Sequence, residues 1–148
     1  FATLGARPTT LPPAEASSLA AAPRRVLVVD DAALVARSLR RLLRPHAVVH
    51  APSAARALGM LEEDAAYDVV LCDLMMPGGT GPELQAVIAR RWPELDARMV
   101  FITGGAFTKE AATFAFAEQH RVLLKPVDRA ELLATVEEVV SRSTALGR

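Results

Sequence analysis

Two apolar runs in this chain end in carboxylates. Val26-Leu27-Val28-Val29 runs into Asp30 and Asp31, and Val69-Val70-Leu71-Cys72 runs into Asp73. Three acids brought to one edge of a sheet raise one another's pKa or need a counter-ion. Hard oxygen donors of this kind suit Mg²⁺, which takes few carboxylates and leaves room for a phosphoryl group. A carboxylate can also attack phosphorus and carry the phosphoryl group as an acyl phosphate. Asp73 is the acid placed for that role, because Leu74-Met75-Met76-Pro77-Gly78-Gly79 follows it and no helix begins there. Lys125 directly follows Val122-Leu123-Leu124, and Thr103 closes Val100-Phe101-Ile102. An ammonium and a hydroxyl at the same edge could hold phosphoryl oxygens.

Each of these residues also has a plainer reading. Asp30 or Asp31 could cap the following helix. Thr103 before Gly104 is ordinary turn chemistry. Lys125 could be the structural partner of one Asp, which is compatible with a functional role.

Positioning such residues requires strands that end together. From Arg24 onward short apolar runs alternate with helical patterns, the signature of a βα parallel sheet. Strands are expected at 25–29, 47–50, 69–72, 99–102 and 122–124. Helices are expected at 33–43, 54–63, 82–91, 109–119 and 129–141. In the last of these, Leu132, Leu133, Val136, Val139 and Val140 make one apolar face, and Asp128 with Glu131 forms a capping-box pattern. The first helix turns Val35, Leu39 and Leu42 inward and Arg37, Arg40, Arg41 and Arg44 outward, as a basic docking face or a solvated surface. Five such units predict an α/β fold: a doubly wound, five-stranded parallel sheet, flavodoxin-like, with strand order 2-1-3-4-5 and its crevice beyond the carboxyl ends of the strands.

Composition narrows the function. The chain has 148 residues and 51% hydrophobic residues, enough for one domain with a core. Seventeen basic and seventeen acidic side chains cancel, which gives no support to nucleic-acid binding. No apolar run reaches membrane-spanning length. Cys72 is the only cysteine, so no internal disulfide forms, and this fits a reducing compartment. Beside Asp73 it reads as a small core residue. His46, His50 and His120 lack metal-ligand spacing and are expected at the surface or at a sheet edge. Residues 1–23, punctuated by Pro8, Pro12, Pro13 and Pro23, read as a linker or tail ahead of a domain at 24–144. The chain opens on Phe1 rather than Met, as expected of a fragment or of a processed chain.

Taken together, Asp30-Asp31, Asp73-Leu74-Met75-Met76-Pro77 with Gly81, Thr103 and Lys125-Pro126 resemble the receiver domain of two-component response regulators. That resemblance implies a phosphoryl group passed from a histidine kinase, or a histidine phosphotransfer protein, to Asp73. It implies Mg²⁺ held by Asp31, Asp73 and the Met75 backbone carbonyl, with Asp30 assisting. It assigns Thr103 and Lys125 to the phosphoryl oxygens, and it implies a cis Lys125–Pro126 bond, a cytoplasmic setting and a monomer or weak dimer. The third acid that many receivers carry is Ala32 here. Their switching aromatic is Val122, and the residue after the threonine is Gly104. The runs Met76-Pro77-Gly78-Gly79-Thr80-Gly81 and Thr103-Gly104-Gly105-Ala106-Phe107 are similar to receivers fused behind a histidine-kinase core, so a hybrid kinase is the expected setting. A stand-alone response regulator or phosphate sink is the alternative. An aspartyl phosphatase of the haloacid dehalogenase type wants a second Asp two residues after the nucleophile, where Met75 stands.

Overall fold

The computed structural model describes residues 23–74, 76, 81–104 and 120–146. Five parallel strands form one sheet: β1 (Arg25–Val29), β2 (Ala47–Ala51), β3 (Val69–Asp73), β4 (Met99–Thr103) and β5 (Arg121–Leu124). Their order is β2-β1-β3-β4-β5, as expected. The helices are α1 (Ala33–Leu42), α2 (Ala54–Glu63), α3 (Gly81–Arg91), the single turn α4 (Pro93–Asp96) and α5 (Arg129–Leu146). The helix expected at 109–119 lies outside the described residues.

Alternation along the strands divides the core in two. Leu27, Val29, Val70, Cys72, Met99 and Phe101 face one layer, which is packed by Ala57 and Leu61 of α2 and Leu84 and Ile88 of α3. Val26, Val28, Leu71, Val100 and Ile102 face the other, packed by Ala36 and Leu39 of α1 and Leu132, Val136 and Val139 of α5. Both faces of β1, β3 and β4 are covered, so these strands read as continuous apolar runs rather than as alternating ones. A fully buried leucine or isoleucine in these layers contributes about 1.5–3 kcal/mol of transfer free energy.

The element boundaries shift in ways that matter for the site. Pairing continues one residue further on β3 and β4, so Asp73 lies opposite Ile102 and Thr103 opposite Leu124 within the ladder. Both polar residues are therefore held by sheet hydrogen bonds rather than by a loop. The turn α4 was not anticipated. Pro93 begins it, where a missing N–H costs nothing. α5 runs to Leu146 rather than stopping at 141, since no Pro or Gly interrupts the pattern before Gly147. Asp128 Oδ2 accepts from the Glu131 N–H at 3.0 Å, the N-terminal half of the expected box. The Lys125–Pro126 bond is cis as expected, and so is Arg44–Pro45.

The histidines correct an expectation. His120 is buried, its Nε2 lies 3.1 Å from Asp96 Oδ1, and its ring meets Phe101 edge to face. The His46 side chain is only 10% exposed, with Nδ1 accepting from the Arg24 N–H at 2.8 Å. Polar partners supplied by the fold allow these rings to be buried, and those partners lie far away in sequence. His50 is on the edge strand β2, as expected, but it too is partly buried and bonded.

Candidate functional site

In the order 2-1-3-4-5 the chain winds from β1 outward to β2, then crosses back to β3 on the other side of β1. The carboxyl ends of β1 and β3 therefore flank the switch point, where open α/β sheets keep their crevice. Asp30 follows β1 and Asp73 ends β3, so the topology brings together two acids 43 positions apart. Asp30, Asp31 and Asp73 each offer an oxygen, and the three oxygens lie within 4.8 Å of one another. Asp30 and Asp73 are buried, whereas Asp31 is exposed at the mouth.

Lys125 reaches this cluster from β5. Its Nζ lies 3.3 Å from Asp30 Oδ2 and 3.6 Å from Asp73 Oδ2. The Lys125 N–H donates to the Thr103 carbonyl at 2.8 Å, which sets the base of the lysine against the end of β4. A Cβ placed on Gly104 would sit 3.1 Å from Lys125 Cβ and 3.3 Å from its Cδ. Glycine after Thr103 thus leaves space for the lysine stem.

Asp30 does not cap α1: Ala32 is the N-cap and uses no side-chain bond. Instead Asp30 Oδ1 accepts the Ala32 N–H at 2.8 Å and folds the turn that carries Asp31. The Thr103 hydroxyl is fully buried, and its Oγ1 has no hydrogen-bond partner among the described residues. An orphaned buried hydroxyl costs about 1–3 kcal/mol unless something bonds it, so it is available to a ligand oxygen. Three carboxylates, one ammonium and one unpaired hydroxyl are a donor set that fits a hard divalent cation together with a phosphoryl group. Met75, whose carbonyl was the expected third ligand, lies outside the described residues.

Two local features frame the crevice. Gly81 opens α3 with its N–H bonded to the Leu74 carbonyl at 3.1 Å, and a Cβ there would meet the Asp73 carbonyl oxygen at 2.9 Å. Only glycine lets α3 start this close to the end of β3. The second feature is a groove of about 310 Å³ between α1 and Lys125–Pro126–Val127, lined by Leu34, Val35, Leu39 and Ile102. Leu34 is 73% exposed at its rim, and Lys125 is shared between groove and crevice.

The response regulator receiver domain matches residues 26–137. The chain belongs to that family. It is 33% identical over 118 residues to the hydrogenase transcriptional regulatory protein HoxA of Cupriavidus necator, covering 78% of this chain and 24% of that protein. It is 28% identical over 130 residues to the sensor kinase CckA of Brucella abortus, covering 86% of this chain and 14% of that one. The chain thus spans a quarter or less of the curated relatives it matches. A crystal structure of a receiver domain protein from Clostridium thermocellum superposes with a TM-score of 0.74 at 25% identity, covering 83% of this chain and 98% of that one. This receiver is therefore a phosphoacceptor domain of two-component signalling, with an acidic pocket of Asp30, Asp31 and Asp73.

Around the pocket, Cys72 is completely buried, and burial pushes its thiol pKa up, with Asp73 and Asp30 reinforcing the shift. Its Sγ lies 3.4 Å from the Asp73 carbonyl oxygen, to which it donates. Val122 is half-buried and packs on the layer that contains Phe101. Among the described residues, no helix is long and apolar enough to cross a membrane.

Proposed function

We propose that this receiver takes a phosphoryl group from a phosphohistidine onto Asp73, and that it does so as the receiver of a hybrid histidine kinase. The observation that supports Asp73 is its place: it is the buried acid that ends a central strand beside the exposed mouth of the crevice. Asp30 lies past the end of β1 and bonds the Ala32 N–H, and Asp31 is exposed at the mouth. Asp73, at the end of a central strand, keeps an oxygen facing the lysine across 3.6 Å. In the transfer, an Asp73 oxygen bonds to phosphorus, the histidine N–P bond breaks, and the acyl phosphate remains on the protein. Asp31 and Asp73, with Asp30 assisting and the Met75 carbonyl as a further donor, would hold Mg²⁺. The cation, when bound, offsets charge on the phosphoryl oxygens. The Lys125 ammonium neutralises one of those oxygens and the Thr103 hydroxyl donates to another.

The groove beside Lys125 is where the helix bearing the phosphohistidine would seat, because it is apolar, opens at Leu34 and shares Lys125 with the crevice. The sensor kinase relative supports the hybrid setting, and the transcriptional regulator relative favours a response regulator instead. A kinase ATP-binding region upstream of Phe1 is expected on the first reading and absent on the second. Phosphorylation itself is tested by incubating the chain with acetyl phosphate and Mg²⁺ and reading intact mass. One added phosphoryl group is expected in the parent and none in Asp73→Asn. Full labelling of Asp73→Asn would refute the assignment.

A further inference from the structure

We infer that His50, on the edge strand β2, is a positioning residue for the cation site. Its Nε2 lies 2.7 Å from the backbone carbonyl oxygen of Asp30. A carbonyl only accepts, so Nε2 carries the proton in this contact. The same residue is held from its other side, because the Asp30 N–H donates to the Ala51 carbonyl at 3.1 Å. The Asp30 main chain is thus pinned to β2 at both its donor and its acceptor, just past the last rung of the β1–β2 ladder, where Val29 lies opposite Ala51.

The consequence falls on Asp31. The Asp30 carbonyl and the Asp31 N–H belong to one rigid peptide plane. The Asp31 side chain is exposed and makes no hydrogen bond to the described residues, so what the fold fixes is its Cα–Cβ direction, and the backbone alone fixes it. Two contacts fix that backbone: His50 on the peptide before Asp31, and Asp30 Oδ1 on the Ala32 N–H after it. Imidazole can fill this role because α1 presents Ala33 and Ala36 over β2, leaving a recess of about 160 Å³ that the ring shares with Arg37 and Arg40. A hydrogen bond that orients a ligand from behind typically matters for cation affinity.

This inference rests on the acidic pocket being the cation site, and its test separates the two claims. Mg²⁺ alone is titrated calorimetrically into the folded parent, His50→Ala, His50→Gln and Asp31→Ala. His50→Ala is expected to bind Mg²⁺ about three- to tenfold more weakly, the range of one neutral hydrogen bond. His50→Gln places an amide N–H near Nε2 and is expected to bind within about twofold of the parent. A purely structural histidine would lower the melting temperature and leave the affinity of the folded protein unmoved. Parent-like affinity in His50→Ala, or equal losses in the Ala and Gln variants, would overturn the positioning role. Parent-like affinity in Asp31→Ala would overturn the site itself, and the inference with it.

Discussion

Gly81→Ala isolates the tightest backbone contact around the crevice. The added methyl carbon would lie 2.9 Å from the Asp73 carbonyl oxygen and 3.1 Å from Leu74 Cα. Ordinary contact begins at 3.4 Å, so the methyl carbon falls about half an ångström short, and both neighbours are main chain with no rotamer to swing aside. Two effects oppose each other. Alanine is the better helix former, by about 0.8–1 kcal/mol in a helix interior, and by less here because Gly81 is the first residue of α3. Overpacking against backbone costs about 1–3 kcal/mol. The steric cost wins, and a net destabilisation of about 1–2 kcal/mol is expected. Urea unfolding followed by circular dichroism should show the midpoint falling by about 0.5–1 M with unchanged slope. Relief of the clash moves the end of β3, so Mg²⁺ affinity should fall with stability. An unchanged midpoint would show that α3 pulls away from β3 at no cost, and would refute the claim that this glycine fixes the approach.

Four further outcomes are expected. Thr103→Val removes a buried hydroxyl that has no partner among the described residues, so stability should hold or rise slightly while phosphorylation by acetyl phosphate slows about tenfold or more; equal losses in both would contradict the role. Lys125→Met takes away the ammonium 3.3 and 3.6 Å from two buried carboxylates. Metal-free stability should drop by about 1–3 kcal/mol, and Mg²⁺ should restore more of it than it adds to the parent; equal effects of Mg²⁺ on both proteins would argue against a shared charge balance. His46 has its pKa lowered from 6.5, first by burial, then by Arg24, with Glu137 and Asp68 opposing. Its neutral form is favoured in the fold, so its contribution is complete above 6.5 and is lost as pH falls through the lowered value. The Glu137 pKa is lowered from 4.5, first by its hydrogen bond from Arg24, so Glu137 titrates below that window. Stability measured from about pH 7 down to about pH 5 should decline less in His46→Asn, and an identical slope would remove His46 as the cause. Cys72 should resist a thiol reagent in the native chain and react on unfolding; rapid native labelling would contradict its burial.

The strand positions were legible because burial on both faces of a parallel sheet leaves uninterrupted apolar runs, and the acids and the lysine stand where those runs stop. The pairing of Asp30 with Lys125 was legible only as shared location, since two carboxylates and an ammonium at one sheet edge attract whatever the register. Which of the three acids are buried and which is exposed was decided by tertiary structure. These outcomes depend on the angle at which α1 leaves β1, which no local pattern encodes. His50 illustrates the limit most clearly. In sequence it is a polar residue near the end of an edge strand, twenty positions from Asp30. Only the β1–β2 register brings its ring nitrogen to the Asp30 carbonyl. Register is set by the packing of every side chain on both strands together, so a contact one rung beyond the ladder is a property of the assembled sheet.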